Sequence, residues 1–245
     1  MQMIRILNVE MIPPLFFRRD QPLSIYISEM WGKILQQPPN KKGDSMINKP
    51  DVRYTPEEYL TIEREAVYKS EFFNGEIFAM SGASRKHNLI TGNVYSSIHM
   101  QLRKRECEVY TNDMRVKVSP TGLYTYPDIV VVCGPPLFDD TFSDTLINPN
   151  VIIEVLSDST EAYDRGNKFR NYRTLPSLSD YILIHQYTRQ VEHYTRQPDN
   201  SWRFLEYFKL GDGFEIRSIG CELKLEDIYE KVDIGHDFKE LHQAS

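Results

Sequence analysis

Two short apolar runs dominate the pattern: Ile129-Val130-Val131-Val132-Cys133 and Val151-Ile152-Ile153, which continues past Glu154 into Val155-Leu156. β-Branched runs of this length read as strands covered on both faces. Upstream, Ile90, Val94, Ile98 and Leu102 recur every fourth position, which predicts a long helix with one apolar face, begun after the small-residue break Ser81-Gly82-Ala83-Ser84. Thr55-Pro56-Glu57-Glu58 is an N-cap, a first-turn proline and first-turn acids, predicting a helix to about Tyr68. Residues 69–80 alternate around Asn74-Gly75 as a hairpin. Residues 108–118 read as strand interrupted at Asp113, residues 180–185, 190–196 and 202–208 as a β-meander, and residues 222–232 as a closing helix. The fold class is α/β (α+β): a mixed central sheet flanked by helices, with a C-terminal β-meander.

Acids interrupt the two central runs. Asp128 opens the first, in Tyr126-Pro127-Asp128, and Glu154 sits inside the second. After a polar break, 157–160, a helical segment carries Asp164 as N-cap, Lys168 one turn in, Tyr172 on the same face, and Phe169 and Leu175 on the opposite, core-facing side. Carboxylates are rarely buried unless paired or metal-bound. Either acid alone is explained by a structural ion pair. The two together with a lysine point to a cation site. Glu76, directly after the hairpin turn, reads equally well as an exposed strand-end acid, and a lone His87 in a first helical turn more often holds structure than ligand. An oxygen donor set suits Mg²⁺, Mn²⁺ or Ca²⁺, and the lack of clustered Cys and His argues against zinc.

Composition narrows the classes. The chain has 245 residues, 40% hydrophobic and 26% charged, ordinary for a soluble domain. It contains no apolar run of about 18 residues, as a membrane span needs. Cys107, Cys133 and Cys221 are widely spaced without a CxxC, which argues against a disulfide framework and for a reducing cytoplasmic setting. A net charge of −6 is unlike proteins that neutralise many phosphates, so any affinity for DNA is expected to be weak or metal-borne. Residues 1–49, with five prolines (Pro13, Pro14, Pro22, Pro38, Pro39) and no periodicity, read as an irregular accessory extension, with Met46 as an alternative start. Residues 235–245 read as a polar tail.

The ordered set Tyr54-Thr55-Pro56-Glu57-Glu58-Tyr59, Asn74-Gly75-Glu76, Ser81-Gly82-Ala83-Ser84 with His87-Asn88, Tyr126-Pro127-Asp128, and Glu154-Val155-Leu156-Ser157 through Tyr163-Asp164-Arg165-Gly166-Asn167-Lys168-Phe169 resembles the Uma2 family over residues 50–234. That family is similar to restriction endonucleases of the PD-(D/E)xK superfamily. The resemblance implies a restriction-endonuclease-like core and a Mg²⁺- or Mn²⁺-dependent DNA endonuclease acting as a possible homodimer. Its metal ligands are then Asp128, Glu154 and Glu76, and its catalytic residues Asp128, Glu154, Lys168, Glu76 and His87. The superfamily's lysine position, two residues after Glu154, is Leu156 here, and the resemblance transfers the lysine's role to Lys168. The alternative is a catalytically silent nucleic-acid-binding or regulatory module on the same fold.

Overall fold

The computed structural model describes residues 53–158 and 160–234. The expectations for residues 1–49, for Met46 and for the 235–245 tail lie outside the described residues. At the centre stands a six-stranded sheet of β3 (Cys107–Thr111), β6 (Ile129–Cys133), β8 (Val151–Leu156), β9 (Asp180–His185), β10 (Val191–Arg196) and β11 (Trp202–Tyr207), in the order β11-β10-β9-β8-β6-β3. Neighbours are antiparallel except β8 and β9, which run parallel. Every residue of β8 is buried.

The period-two alternation splits the apolar residues between two cores. Ile129, Val131, Val151, Ile153, Val155, Ile182 and Ile184 face one way, against α2 (Arg85–Leu102), the hairpin β12 (Gly213–Ile216) and β13 (Cys221–Lys224), and α5 (Leu225–Ile228). The α2 residues Ile90, Val94, Ile98 and Leu102 are the buried ones, as the four-residue recurrence predicts. Val130, Val132, Ile152, Leu156, Tyr181 and Leu183 face the other way. They meet a five-stranded sheet of β1 (Ser70–Phe73), β2 (Glu76–Ala79), β4 (Arg115–Val118), β5 (Leu123–Thr125) and β7 (Thr145–Leu146), together with a short helical crossover from β8 to β9. Asp128 and Glu154 fall in phase with this second set.

Local signals fix the supports. In α1 (Pro56–Glu65) the Thr55 hydroxyl accepts from the Glu58 N–H, and the Glu58 carboxylate accepts from the Thr55 N–H, a capping box. The helix ends at Glu65, short of Tyr68. Asn74 and Gly75 both take positive φ, 51° and 81°, as a two-residue hairpin turn requires. The predicted strand at 108–118 is two, β3 and β4, parted by a turn at Asp113. The predicted closing helix over 222–232 is instead strand β13 followed by the four-residue α5. The alternation Cys221, Leu223, Leu225, with Glu222 and Lys224 exposed, is a strand period that the later Ile228-Tyr229 obscures.

The cysteine reading is also corrected. Cys107 and Cys133 lie directly opposite each other in the β3–β6 register and are joined by a disulfide, leaving Cys221 free and buried. Their separation of 26 residues hides this proximity, because the chain folds back antiparallel between them. Thiol titration of the unfolded, unreduced chain is therefore expected to find one thiol, and three after reduction. Three thiols before reduction would overturn the pairing.

Candidate functional site

Strand register delivers the two central acids. β6 and β8 pair with Ile129 opposite Ile153, so one step further Asp128 lies opposite Glu154 on the same face. One more step sets Pro127, which has no N–H, opposite Val155. There the Asp128 carboxylate takes over from the ladder: its Oδ2 accepts from the Val155 N–H at 2.7 Å. The Asp128 N–H in turn points at Glu154 Oε2, at 3.4 Å. Tyr126 is anchored just upstream, where its hydroxyl donates to Glu63 Oε1 and accepts from Arg115, both at 2.9 Å.

The third component comes from the crossover. α3 (Glu161–Tyr163) passes through a π-helical turn, Asp164–Lys168, into α4 (Phe169–Tyr172). Such turns recur at functional positions. Asp164, expected as the N-cap, is instead buried at the start of this turn; the helical segment begins earlier, with Thr160 in the capping position. The expected single core-facing side is corrected too: Lys168 and Tyr172 are buried as well, Tyr172 packs in the same core as Phe169 and Leu175, and Leu175 lies beyond the helix end. Tyr172 shares the face of Lys168, and Phe169 packs in the core on Tyr181, Tyr194 and Trp202.

Lys168 Nζ reaches Glu154 Oε1 at 3.0 Å, Glu71 Oε1 at 3.2 Å and Asp164 Oδ1 at 3.4 Å. The Tyr172 hydroxyl donates to the same Glu154 oxygen at 3.0 Å. His87, in the first turn of α2, places Nε2 3.1 Å from Asp128 Oδ2. The side chains of Lys168 and Glu154 are 7% and 5% exposed, whereas those of His87 and Asp128 are 14% and 15% exposed. The arrangement therefore has a deep end at Lys168 and a mouth at Asp128.

Of the five residues singled out in the sequence, the structure brings together Asp128, Glu154, Lys168 and His87. Glu76 pairs with Arg53 at 3.1 Å, on the same sheet face as Glu71 but nearer the turn, since Phe73 opposes Glu76. The hairpin acid that meets Lys168 is Glu71, which sequence reasoning missed. It also accepts from Thr125 Oγ1 at 2.5 Å. Its signal was there: an acid inside Ser70-Glu71-Phe72-Phe73, on the face opposite Phe72.

Electrostatics follow from three carboxylates on one ammonium, with Asp128 as a fourth beside Glu154. Burial, reinforced by the charges of Asp164 and Asp128 and opposed by Lys168, pushes the Glu154 carboxyl up to about 8. Burial also raises Asp164. Burial alone would lower Lys168, but Glu154, Glu71 and Asp164 outweigh it and hold its pKa well above the usual lysine range. The charged form of Lys168 is thereby favoured. No three His, Cys, Asp or Glu side chains converge as a metal centre among the described residues. The facing pair Asp128 and Glu154 is nonetheless an all-oxygen donor set of the size that Mg²⁺ takes alongside substrate phosphate.

A raised Glu154 means that the folded chain keeps a proton which the unfolded chain releases near 4.5. Its stabilising contribution is full below that value and fades as pH rises towards about 8. Chelator-treated protein should accordingly lose stability across this window, and Glu154→Gln should flatten the slope in urea titrations. Parallel slopes in the two proteins would contradict the assignment.

The Uma2 family, described as "Putative restriction endonuclease", matches residues 56–226. Two uncharacterized proteins of Synechocystis sp. (strain PCC 6803), sll1609 and slr1290, are 39% and 36% identical, covering 66% and 74% of this chain and 90% and 93% of their own lengths. A crystal structure titled as a putative nuclease of DUF820 from Anabaena variabilis superposes with a TM-score of 0.61 at 18% identity, over 72% of this chain and 97% of that one. That likeness shows a shared fold. The extent of the sequence match settles membership: the chain belongs to the Uma2 family.

Proposed function

We propose that the chain is a divalent-metal-dependent DNA endonuclease whose site is Asp128, Glu154 and Lys168, supported by Glu71, Asp164 and His87. One observation carries the reading. The ammonium of Lys168, from the crossover, lies 3.0 Å from Glu154, which itself faces Asp128, so two acids and a lysine meet although the lysine is far along the chain. The family description and the fold of the DUF820 nuclease support a nuclease.

Asp128 and Glu154 would hold Mg²⁺ or Mn²⁺, with Glu76 as an outer candidate ligand released from Arg53. When bound, such an ion polarises the phosphodiester and lowers the pKa of a coordinated water. The chain's own groups then have distinct tasks. His87 and the Val155 N–H fix the Asp128 carboxylate. Tyr172 and Lys168 fix Glu154 Oε1. Lys168, in its charged form, stabilises negative charge on the phosphoryl oxygens. Its contact with Asp164 is the longest of the three, and Asp164 Oδ1 accepts no hydrogen bond, so this is the contact most easily exchanged for substrate.

The second reading, a silent nucleic-acid-binding or regulatory module, draws on the same residues: Lys168 and His87 already pair with Glu154, Glu71 and Asp128. A plasmid-cleavage assay titrated with Mn²⁺ separates the two. Asp128→Asn should abolish cleavage and weaken Mn²⁺ binding by calorimetry. Lys168→Ala should keep Mn²⁺ binding but cleave about 10²-fold more slowly, with circular dichroism verifying the fold. No cleavage by the unaltered chain with any divalent ion would leave the silent module. A further outcome is expected from the geometry: Glu71→Gln should impair cleavage more than Glu76→Gln, and the reverse order would return the hairpin's role to Glu76.

A further inference from the structure

A cavity of about 340 Å³ opens at the carboxyl ends of β8 and β9, lined by Asp158, Glu161 and Arg165 of the crossover and its approach, by Leu156, and by Tyr187 and Gln190 of the turn after β9. Its volume is at the small end of ligand pockets, which span roughly 300–1,000 Å³. Three elements carry both this cavity and the acid site. Leu156 is two residues beyond Glu154 on β8; Arg165 follows Asp164 in the π turn; and Lys86, beside the cavity's Tyr187, precedes His87 at the start of α2. The cavity is therefore carried by elements that also carry the acid site.

Its wall is preformed. The Tyr229 hydroxyl holds the turn by meeting the His185, Thr188 and Gln190 carbonyls at 3.0, 3.1 and 2.9 Å and accepting from the Gln190 N–H at 3.1 Å. Gln186, 1% exposed, donates to the Leu156 carbonyl at 3.0 Å and contacts Ser84 Oγ, the cap of α2, at 2.5 Å. Tyr187, in contrast, is 47% exposed, and the Lys86 ammonium lies 5.4 Å from its ring centre. An exposed aromatic with a cation beside it is the pairing on which single-stranded bases stack.

Resting on the nuclease reading, we propose that this cavity receives one unstacked nucleobase adjoining the bond that is cut, with Tyr187 as its stacking platform. The lining favours a base over a phosphate. Arg165 is already engaged by Glu161 and Glu192, and the Asp158 and Glu161 carboxylates would repel an anion. Carboxylates, amides and hydroxyls are instead the partners of a base's polar edge. Substrates with unpaired bases are then preferred over intact duplex.

The test is fluorescence anisotropy of the full chain with labelled single strands and duplexes, in chelator at low ionic strength, alongside a separate Mn²⁺ cleavage assay. Single strands should bind more tightly than duplex. Tyr187→Ala should weaken single-strand binding about tenfold, while Tyr187→Phe should bind as the unaltered chain does. An abasic strand should lose the same factor on the unaltered chain and nothing further on Tyr187→Ala. Unchanged binding by Tyr187→Ala, or equal losses on duplex and single strand, would overturn the cavity's role even where cleavage is intact. The expected binding pattern without any cleavage would uphold the cavity and overturn the catalytic reading alone.

Discussion

A buried ammonium among three carboxylates is the constraint on which the rest of this structure depends. Desolvating an ion costs several kcal/mol, and a buried pair that loses one partner costs about 3–5 kcal/mol because a charge is stranded. Lys168 has three N–H groups and spends its contacts on Glu154, Glu71 and Asp164. Those acids come from the six-stranded sheet, the five-stranded sheet and the crossover. One side chain thus ties by charge three layers that also share the second apolar core. The acids outnumber it, and burial, reinforced by their mutual repulsion, raises Glu154 and Asp164. The cluster is for that reason less stabilising at high pH.

The sheet and the crossover solve the geometric half of the problem separately. Antiparallel register makes Asp128 and Glu154 neighbours, and the missing N–H of Pro127 ends the ladder where Asp128 can turn its carboxylate to Val155. The parallel step from β8 to β9 requires a crossover, and the crossover must pass over the face on which Glu154 lies. Within it, the π turn exposes the Asp164 carbonyl to the Tyr181 hydroxyl at 3.0 Å, fastening the segment to β9. Tyr172 at the end of the crossover helix and Tyr181 on β9 are both fully buried. These two tyrosines carry polar tips that are satisfied only when the segment is in place, so their burial and the site's assembly are one event.

Much of this was legible in the sequence, and the failures have physical causes. Continuous β-branched runs, the four-residue recurrence in α2 and the Asn-Gly turn are local signals, and each became the element it predicts. Asp128 and Glu154 were legible because charge at or inside apolar runs is costly and thus informative, and Lys168 by its place one turn into the following helical segment and by the family resemblance. Glu71 was missed because the choice between two hairpin acids depends on which strand lies beside β5, a non-local fact. Asp164 was misread as a cap because its neighbours look like a helix start, while burial beneath the crossover is a tertiary event. The pairing of Cys107 with Cys133 depended on register, which spacing does not encode.

The displaced lysine is the point at which fold and chemistry constrain each other most closely. Leu156 shares the face of Glu154, two residues further along β8, so a lysine there would also project towards the site. Here that position is 2% exposed and packs in the same core as Tyr172, Leu175, Tyr181 and Leu183. An ammonium at 156 would enter apolar surroundings, whereas one at 168 is met by three carboxylates and arrives from above rather than alongside. What the chemistry requires is a fixed cation near Glu154, and any element lying over that face can supply it. Moving the cation to the crossover leaves β8 free to be apolar at its carboxyl end, where it becomes the floor of the neighbouring cavity. Leucine at 156 keeps the strand end apolar, so the charge that the cavity beside the acids does hold, on Asp158, Glu161 and Arg165, comes from the crossover and its approach rather than from β8.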